Sequence, residues 1–233
     1  MNKEKLIIPR HVALLMDGNR RWAHKHGVPT LQGHKKSAEN LECILEKAQD
    51  LDIKCITLWA FSTENWNRSA EEKDYLFNLI SEFSNRYFEK FVKKGVRFVH
   101  IGRKDRLDKR TLDVIQRFEE ETNSNSQYTV VIAIDYGGQD EIIRAFSKLQ
   151  EKDLPVTVEN IENNLDTASL PQIDLIIRTG GEVRLSGFMA WQCAYAELMF
   201  FNKYFPDFTP EDLEYAVNEF SKRERRFGGD SNN

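Results

Sequence analysis

The chain has 233 residues, 40% of them hydrophobic and 30% charged, with three scattered cysteines and a net charge of −4 at pH 7. That weakly acidic balance argues against a nucleic-acid-binding protein, and cysteines without a CxxC pair argue against a structural zinc site or a disulfide framework. The chain shows neither the apolar core of a signal peptide nor eighteen consecutive apolar residues, so we expect a cytoplasmic protein.

Short apolar runs alternate with longer amphipathic stretches along the chain. The runs predict six strands, at 11–16, 55–61, 96–102, 128–134, 174–179 and 197–201. Most of them are continuously apolar, which is typical of parallel strands that are covered on both faces. The stretches between them predict helices, among them 40–51, an aromatic-rich helix at 71–94, and one at 105–122 that Asp105 would cap.

This alternation favours one α/β domain over residues 1–233. Strands joined by helices form βαβ units, which predict a mostly parallel six-stranded sheet flanked by helices. The apolar positions of helix 71–94 cover more than one face, which predicts a wall shared between the sheet and an apolar tunnel. We expect residues 1–9 and 230–233 to be flexible ends.

Polar motifs follow four of the predicted strands, at the end where open parallel sheets bind their ligands. The motifs are DGNRRWA at 17–23, FSTENWNR at 61–68, DYGG at 135–138 and RTGGEVRLS at 178–186. Turn chemistry explains any one of these motifs, but it explains four of them at the same edge poorly. We therefore expect a binding site there, with Glu197 opening the sixth strand beside it.

The residue types in these motifs predict anion binding. Gly18 and Asn19 offer backbone N–H groups where a helix would begin, and arginines supply paired donors for phosphate oxygens. The arginines are Arg20, Arg21, Arg68, Arg178 and Arg184. Asp17 would be unfavourable among them without a cation, which indicates Mg²⁺ shared with substrate phosphates, with Glu197 as a second carboxylate. A helix N-cap is the alternative role for Asp17, although Asn19 could serve as that cap.

A phosphate-binding edge beside an apolar wall indicates a substrate with a diphosphate head and a hydrocarbon tail. At this point seven motifs together resemble the cis-prenyltransferases, the family of undecaprenyl diphosphate synthase. In the family's order, from about His11 to Gly229, they are HVALLMDGNRRWA, GHK, FSTENWNR, YGG, RTGGEVRLS, FMAWQCAYAEL and RERRFGG. Several such motifs in register are specific, whereas no single one would be.

The resemblance implies a Mg²⁺-dependent condensation of isopentenyl diphosphate with an allylic diphosphate, usually farnesyl diphosphate. The product would be a cis-polyprenyl diphosphate such as undecaprenyl diphosphate. The resemblance also implies a homodimer in which the RERRFGG tail reaches the partner's site, and it is compatible with peripheral membrane contact for product release. The aromatic helix would line the tunnel for the growing chain.

The resemblance assigns a role to residues of each motif. Asp17 corresponds to the aspartate that binds Mg²⁺ and helps the allylic diphosphate leave, with Glu197 as a further metal carboxylate. Asn65 stands at the position assigned to proton removal, although an amide is a weak base and is better suited to positioning a phosphate oxygen or a water. The allylic diphosphate would be held by Gly18, Asn19, Arg20, Arg21, Trp22, His34, Ser62, Thr63, Glu64, Trp66 and Arg68. The isopentenyl diphosphate would be held by Arg178, Arg184, Leu185 and Ser186.

Several positions depart from the family's usual residues. They are Thr30, Ser37, Ser69, Arg103, Asp135, Gln139, Val183 and Gly187. Thr30 stands where bacterial members commonly place an arginine on the allylic diphosphate, so a paralogue that makes a short or branched terpenoid diphosphate is a second hypothesis. A non-catalytic prenyltransferase subunit is a third, which the presence of Asp17 and the clamp arginines disfavours.

Overall fold

The computed structural model describes residues 6–225. Six parallel strands form one sheet in the order β3-β4-β2-β1-β5-β6. The strands are β1 (His11–Leu15), β2 (Cys55–Ser62), β3 (Val96–Ile101), β4 (Tyr128–Tyr136), β5 (Leu175–Arg178) and β6 (Glu197–Phe200). The predicted α/β class and all six predicted strands are confirmed, and the sheet is wholly parallel.

Helices cover the sheet on both sides. Within the described residues they are α1 (Asn19–Lys25), α2 (Thr30–Asp50), α3 (Ala70–Lys93), α4 (Lys109–Thr122), α5 (Gly138–Glu151), α6 (Val158–Glu162) and α7 (Pro210–Ser221). Short 3-10 turns lie at Thr63–Asn67, Gln192–Tyr195 and Phe205–Asp207. Of the ends expected to be flexible, residues 1–5 and 230–233 lie outside the described part of the chain.

Two helices begin at places other than the predicted ones. α2 starts well before the predicted 40–51, and Gly33 lies within it. A Cβ at Gly33 would lie 2.2 Å from the carbonyl oxygen of Asn19, so only glycine lets α2 approach α1 this closely. The expectation that Asp105 caps the fourth helix was wrong: Asp108 accepts a hydrogen bond from the Thr111 N–H at 2.7 Å, and Asp105 pairs with Arg103 instead.

The central strand β1 shows why its sequence is continuously apolar. Val12 and Leu14 join a core cluster with residues of α2 and α7, whereas Ala13 and Leu15 join a second cluster on the other face with Phe188. Successive side chains of a strand point to opposite faces, so a strand covered on both sides must be apolar at every position.

α3 divides its apolar residues between the core and a cavity. Phe77 and Phe88 pack into a core cluster that includes Phe118 of α4, while Ile80 and Phe83 line the cavity described below. The tunnel-wall prediction for this helix is therefore refined, since much of its aromatic surface belongs to the core. Ser69 caps α3 by accepting a hydrogen bond from the Glu72 N–H at 3.3 Å.

Candidate active site

The motifs that follow β1, β2, β4 and β5 lie at one edge of the sheet because all strands are parallel. β1 and β5 are neighbours, with Leu15 opposite Arg178 in register. Asp17, two residues after Leu15, therefore meets Arg178 directly, and its Oδ2 accepts a hydrogen bond from Arg178 Nη2 at 2.9 Å. The side chain of Arg178 is only 4% exposed, so water screens this ion pair weakly.

Asp17 is held by its backbone as well as by its carboxylate. Its N–H donates to the Thr179 hydroxyl at 3.0 Å, and that hydroxyl donates to the Asp17 carbonyl at 2.9 Å. Asp17 Oδ1 accepts from the Gly18 N–H, and Oδ2 also accepts from Arg21 Nη2 at 3.0 Å. Burial opposes ionisation of Asp17, but the hydrogen bond from Arg178 and the charge of Arg21 outweigh it and hold the pKa below its ordinary value.

The turn after Asp17 requires a glycine at position 18, and hydrogen bonds hold the side chain of Asn19 in place. Gly18 has φ +102°, and a Cβ there would lie 2.5 Å from the ring of Tyr204. Asn19 Nδ2 donates to the Met16 carbonyl at 3.3 Å, and Asn19 Oδ1 accepts from the Ser37 hydroxyl. Ser37, one of the departures from the family pattern, thus orients the Asn19 amide.

On the β2 side of Asp17, the carboxylate of Glu72 binds Arg68 and lies close to His34. Arg68 Nη1 donates to Glu72 Oε1 at 3.0 Å, and His34 Nε2 lies 3.5 Å from the same oxygen without a hydrogen-bond partner in the described structure. Burial, with the charges of Arg68 and Arg20, lowers the pKa of His34 to about 4, so the imidazole is neutral near pH 7. Sequence reasoning missed Glu72, although it lies only four residues after Arg68, in the first turn of α3.

The segment after β2 is built around a reciprocal cap. Asn65 Oδ1 accepts from the Ser62 N–H at 3.1 Å, while the Ser62 hydroxyl accepts from the Asn65 N–H. Trp66 Nε1 donates at 2.8 Å to Asp135 Oδ1, and Arg106 Nε donates at 2.8 Å to Asp135 Oδ2. Because of the reciprocal cap with Ser62, the Asn65 amide holds this turn, which suits the positioning of a substrate group better than the removal of a proton. Asp135, a further departure, anchors Trp66.

On the β5 side, Arg178 binds a tight turn. Its Nη1 donates to the Ser186 hydroxyl at 3.1 Å and to the backbone carbonyl of Arg184. The guanidinium of Arg184 instead points outward, since it is 60% exposed and pairs with Glu182. Glu182 also accepts from Arg21 Nη1 at 3.0 Å. Sequence reasoning missed Glu182, although it lies within the RTGGEVRLS motif.

An apolar cavity of about 310 Å³ opens beside these charged groups. Its polar lining includes Asp17, Asn19, His34, Ser62, Asn65, Arg68, Arg178 and Ser186. Its apolar lining comes from α2, α3 and the strands, and includes Leu41, Leu58, Ile80, Phe83, Phe98, Ile132 and Ile134. The polar edge and the apolar wall that the sequence predicted therefore meet in one cavity.

Some of the predicted binding residues do not line this cavity. Trp22 Nε1 donates to Asp207 at 2.7 Å, and its ring stacks on His26. Arg20 and Glu64 are exposed, and Leu185 packs against a core cluster. The hydroxyl of Thr63 lies close to the backbone at Gly137.

Glu197 lies at the other end of the sheet from Asp17. It begins β6 opposite Leu175 and accepts from Arg223 Nη1 at 2.7 Å. Asp17 is five residue steps further along in register, which corresponds to roughly 16 Å along the strands. Within one chain, Glu197 therefore does not share a metal ion with Asp17.

The described residues contain no group of three or more His, Cys, Asp or Glu side chains that could hold a metal ion by themselves. Of the RERRFGG tail, residues 226–229 lie outside the described part of the chain.

Comparison with known proteins decides the family. A family model described as "Putative undecaprenyl diphosphate synthase" matches residues 15–228 of this chain. The chain belongs to this family of cis-prenyltransferases. It is an enzyme of the prenyltransferase class, as the resemblance of its motifs indicated.

Relatives of this prenyltransferase are similar over most of their length. An isoprenyl transferase of Wolinella succinogenes is 43% identical over 220 residues, which cover 94% of this chain and 96% of the relative. The chloroplastic (2Z,6Z)-farnesyl diphosphate synthase CPT6 of Solanum lycopersicum is 45% identical over 232 residues, covering 96% of this chain and 80% of the relative.

Two solved structures share the fold of this prenyltransferase. Lavandulyl diphosphate synthase from Lavandula x intermedia, in complex with dimethylallyl diphosphate, has a TM-score of 0.90 and 34% identity, covering 95% of this chain and 98% of that one. A probable undecaprenyl diphosphate synthase from Campylobacter jejuni has a TM-score of 0.81 and 37% identity, covering 94% and 98%.

The remaining departures of this prenyltransferase lie mainly away from the cavity. Val183 is 75% exposed, and Arg103 pairs with Asp105 and Asp140. Gly187 has φ +79°, which suits the turn that follows Ser186. Nothing in the structure explains Gln139.

In the described part of the chain, no helix combines the length and the apolar character that crossing a membrane requires.

Proposed function

We propose that this prenyltransferase condenses isopentenyl diphosphate with farnesyl diphosphate as the allylic substrate, to give a polyprenyl diphosphate such as undecaprenyl diphosphate. The observation that carries the proposal is the cluster of Asp17, Arg68 and Arg178, which opens directly into an apolar cavity of about 310 Å³. A charged mouth and an apolar interior suit the two ends of a prenyl diphosphate.

The mouth offers hydrogen-bond donors on both sides of Asp17. Arg178 and Ser186 lie on the β5 side, where we assign isopentenyl diphosphate. Arg68 and His34 lie on the other side, where we assign the allylic diphosphate. Both pairs line the same cavity, so two diphosphates bound there would face each other across Asp17. Holding two reactants in that arrangement is itself a large part of the rate enhancement.

The interior has room for the tail of a short allylic diphosphate. An apolar cavity of about 150 Å³ holds a benzene molecule. By that ratio the 310 Å³ cavity holds roughly a dozen carbon atoms, which lies between a geranyl and a farnesyl tail. The lining from Leu41, Phe83 and Ile132 excludes water from that tail.

Mg²⁺ fits the donor chemistry at Asp17. The carboxylate of Asp17 is ionised and 31% exposed, and Mg²⁺ commonly binds one or two carboxylates together with substrate phosphates. Asp17 would hold the ion against the substrate diphosphate, where it would neutralise the charge that develops on the leaving group. The chain's own contribution is to bind that diphosphate with Arg68, to orient it with the capped turn of Asn65, and to keep Arg178 fixed beside Asp17.

We further propose that the enzyme works as a homodimer in the cytosol, with peripheral membrane contact for product release. α5 supports a dimer because Ile143 is 66% exposed and Phe146 is 37% exposed on its outer side. On the neighbouring α6, Val158 is 64% exposed. Light scattering of the purified protein should give twice the mass of the chain, and a monomeric mass would contradict this part of the proposal.

The test of the reaction is direct product analysis. The purified protein is incubated with Mg²⁺, labelled isopentenyl diphosphate and farnesyl diphosphate, and the products are sized by mass spectrometry, with dimethylallyl and geranyl diphosphate as alternative acceptors. We expect a series of polyprenyl diphosphates from farnesyl diphosphate. A short product formed only from the smaller acceptors would contradict the acceptor and product assignments, and the absence of any product would contradict the enzymatic proposal.

A matched pair of variants tests whether the Asp17 carboxylate takes part in the reaction. Asp17→Asn should lower turnover by about 10³-fold or more, because electrostatic support of the leaving diphosphate is lost. Asp113→Asn removes an exposed carboxylate on α4 and should leave turnover unchanged. Circular dichroism checks that both variants fold. Wild-type turnover in Asp17→Asn would remove Asp17 from the reaction.

A further inference from the structure

Asp135 is the extra residue of a β-bulge at the carboxyl end of β4. Between the pair Phe61–Ile134 and the pair Ser62–Tyr136, β4 advances by two residues while β2 advances by one. Asp135 has φ +52°, a left-handed conformation that aspartate and asparagine adopt more readily than most residues. Bulges re-aim side chains and are frequent beside active sites. The bulge therefore gives the Asp135 carboxylate a direction that the regular alternation of β4 would not.

That carboxylate is buried and is held by Arg106. The side chain of Asp135 has an exposed fraction of 0%, whereas that of Arg106, between β3 and α4, is 39% exposed. Arg106 Nε donates to Asp135 Oδ2 at 2.8 Å, and Arg106 Nη2 donates to Oδ1. A forked pair of this kind fixes the direction of a carboxylate. A buried carboxylate is unfavourable without a charged partner, so Arg106 is what makes Asp135 acceptable at this place.

The fixed carboxylate in turn holds the indole of Trp66. Trp66 Nε1 donates to Asp135 Oδ1 at 2.8 Å. The guanidinium carbon of Arg106 and the Nζ of Lys73 each lie 5.5 Å from the centre of the Trp66 ring, within the range of a cation–π contact. Lys73 Nζ also donates to the Trp66 carbonyl at 3.2 Å. Trp66 is thus held through its indole N–H, its ring and its backbone.

The neighbours of Trp66 on the same turn line the mouth of the cavity. They are Asn65 and Arg68, and the Arg68 N–H donates to the Asn65 carbonyl at 3.0 Å. Arg68 is the arginine that we assign to the allylic diphosphate. Neither Arg106 nor Asp135 is among the described residues that line the cavity. Any effect of Arg106 on the substrate must therefore pass through the turn.

We propose that Arg106, acting through Asp135 and Trp66, is a positioning residue for the allylic diphosphate. The group that it positions is Arg68, two residues beyond Trp66. This inference rests on the proposed function, because it uses the assignment of the allylic diphosphate to the Arg68 side of the mouth. The contacts of Arg178 on the β5 side do not involve this turn. Loosening the turn should therefore weaken the binding of one substrate and not of the other.

The experiment measures steady-state kinetics for each diphosphate in turn. Arg106→Ala should raise the KM for farnesyl diphosphate about tenfold, because a misplaced guanidinium binds and orients its substrate poorly. The KM for isopentenyl diphosphate should stay within about twofold of wild type. Lys109→Ala removes an exposed lysine at the start of α4 and is the matched control, with both constants unchanged. An unchanged KM for farnesyl diphosphate in Arg106→Ala, or an equal rise in both constants, would overturn the proposal.

A double-mutant cycle tests whether Arg106 acts through Trp66. Trp66→Phe removes the indole N–H and should raise the KM for farnesyl diphosphate about tenfold by itself. The variant that combines Arg106→Ala with Trp66→Phe should also show a rise of about tenfold, because residues that act as one unit have non-additive effects. A rise of about 100-fold, the product of the two single effects, would show that Arg106 acts by another route and would overturn the proposal.

A second double variant separates positioning from folding. Arg106→Ala leaves the carboxylate of Asp135 buried and unpaired, which lowers stability. Combining it with Asp135→Asn removes that charge and keeps a residue that suits the left-handed conformation. We expect the urea midpoint to recover toward wild type while the KM for farnesyl diphosphate stays raised about fivefold or more. Recovery of both would show that Arg106 only neutralises Asp135, and would overturn the proposal.

Hydrogen exchange gives a readout that does not depend on the reaction. The backbone amides of residues 62–68 should exchange several-fold faster in Arg106→Ala than in wild type, and at the wild-type rate in Lys109→Ala. Unchanged exchange in Arg106→Ala would overturn the proposal while leaving the proposed reaction intact. Absence of any product from the wild type would instead overturn the proposed reaction, and with it the role of Arg106 toward the allylic diphosphate.

Discussion

The two ends of the cavity use ion pairs for different purposes. At the mouth, Asp17 Oδ2 accepts from both Arg21 and Arg178, and the side chain of Arg178 is 4% exposed. At the far end, where α2 and α3 line a second, much smaller cavity, Lys90 and Lys94 pair with Glu42 and Glu46, whose side chains are 30% and 42% exposed. The guanidinium of Arg178 is thus buried, whereas Arg21 and the far-end lysines are similarly exposed, and the energetic weight of their ion pairs differs accordingly.

The charge balance differs as well. The far end matches two lysines with two glutamates, whereas arginines outnumber carboxylates around Asp17. The mouth therefore keeps positive charge available for diphosphates, while the far end is neutral and only holds two helices together. Ion pairs at the mouth should govern binding and turnover, and those at the far end should govern conformation.

The largest effect on substrate binding should come from breaking the mouth at Arg178. Arg178→Ala removes a buried guanidinium that binds Asp17 and Ser186, and we expect the KM for isopentenyl diphosphate to rise about 100-fold, or about 2.7 kcal/mol. Arg184→Ala, which removes an exposed guanidinium, should raise that KM by less than about tenfold. Steady-state kinetics for the two variants check the difference. Equal effects would mean that Arg184 turns inward when substrate binds.

A second effect concerns the neutral imidazole of His34 at the mouth. Its pKa in the folded protein is about 4, below the unfolded value of 6.5, so the unfolded chain binds more protons between these values. Stability is therefore full above about pH 6.5 and is lost as pH falls toward 4. Lowering the pH from about 7 to about 5 should cost about 2 kcal/mol through this histidine.

Urea unfolding at several pH values checks this expectation. His34→Asn should show a shallower loss of unfolding free energy than wild type at acid pH. His11 and His100 also have their pKa lowered to about 4 by burial, so part of the pH dependence should remain in the variant. An unchanged slope in His34→Asn would show that His34 is already protonated in the folded enzyme.

A smaller effect on substrate binding is expected at Glu72, whose negative charge offsets part of the positive charge of the mouth. Glu72→Gln keeps an oxygen that accepts from Arg68 but removes the negative charge beside it and His34. The KM for the allylic diphosphate should fall about threefold, or about 0.6 kcal/mol. Glu71→Gln changes the neighbouring exposed glutamate and should have no effect. A rise in KM for Glu72→Gln would show that Glu72 orients Arg68 rather than neutralising it.

The smallest effect on stability should come from the far end. Lys90→Ala removes exposed ion pairs, so its free energy of unfolding should fall by less than about 1 kcal/mol. Urea titration beside Lys93→Ala, which removes an exposed lysine from the same helix, measures the difference. A loss of several kcal/mol would show that the ion pairs of Lys90 hold the fold together and would contradict the contrast between the two ends.

Much of this architecture follows from local patterns. The apolar run from Val12 to Leu15 predicts a buried parallel strand because both faces of that strand must be covered, and the structure agrees. Gly18 predicts a turn, and Arg178 predicts an anion site at the end of a strand, because each property depends mainly on the residue and its place in the strand pattern. The edge that gathers Asp17, Arg68 and Arg178 follows once the strands are known to be parallel.

Other parts depend on which elements lie side by side. Glu197 begins its strand rather than ending it, so the register between β5 and β6 separates it from Asp17 in a way that the motif FMAWQCAYAEL does not reveal. Trp22 lies beside the phosphate motif in sequence, but the direction of its side chain from α1 places it against Asp207.

The sequence by itself determined the fold class and the charged edge, because these arise from periodicity, strand direction and residue type, and the resemblance of its motifs indicated the family. Only the tertiary structure decided that Glu72 opposes Arg68, that Arg184 points outward, and that Lys90 joins α3 to Glu42 on α2. Those facts depend on side-chain direction and on contacts between elements distant in sequence, and packing of the whole chain is what selects them.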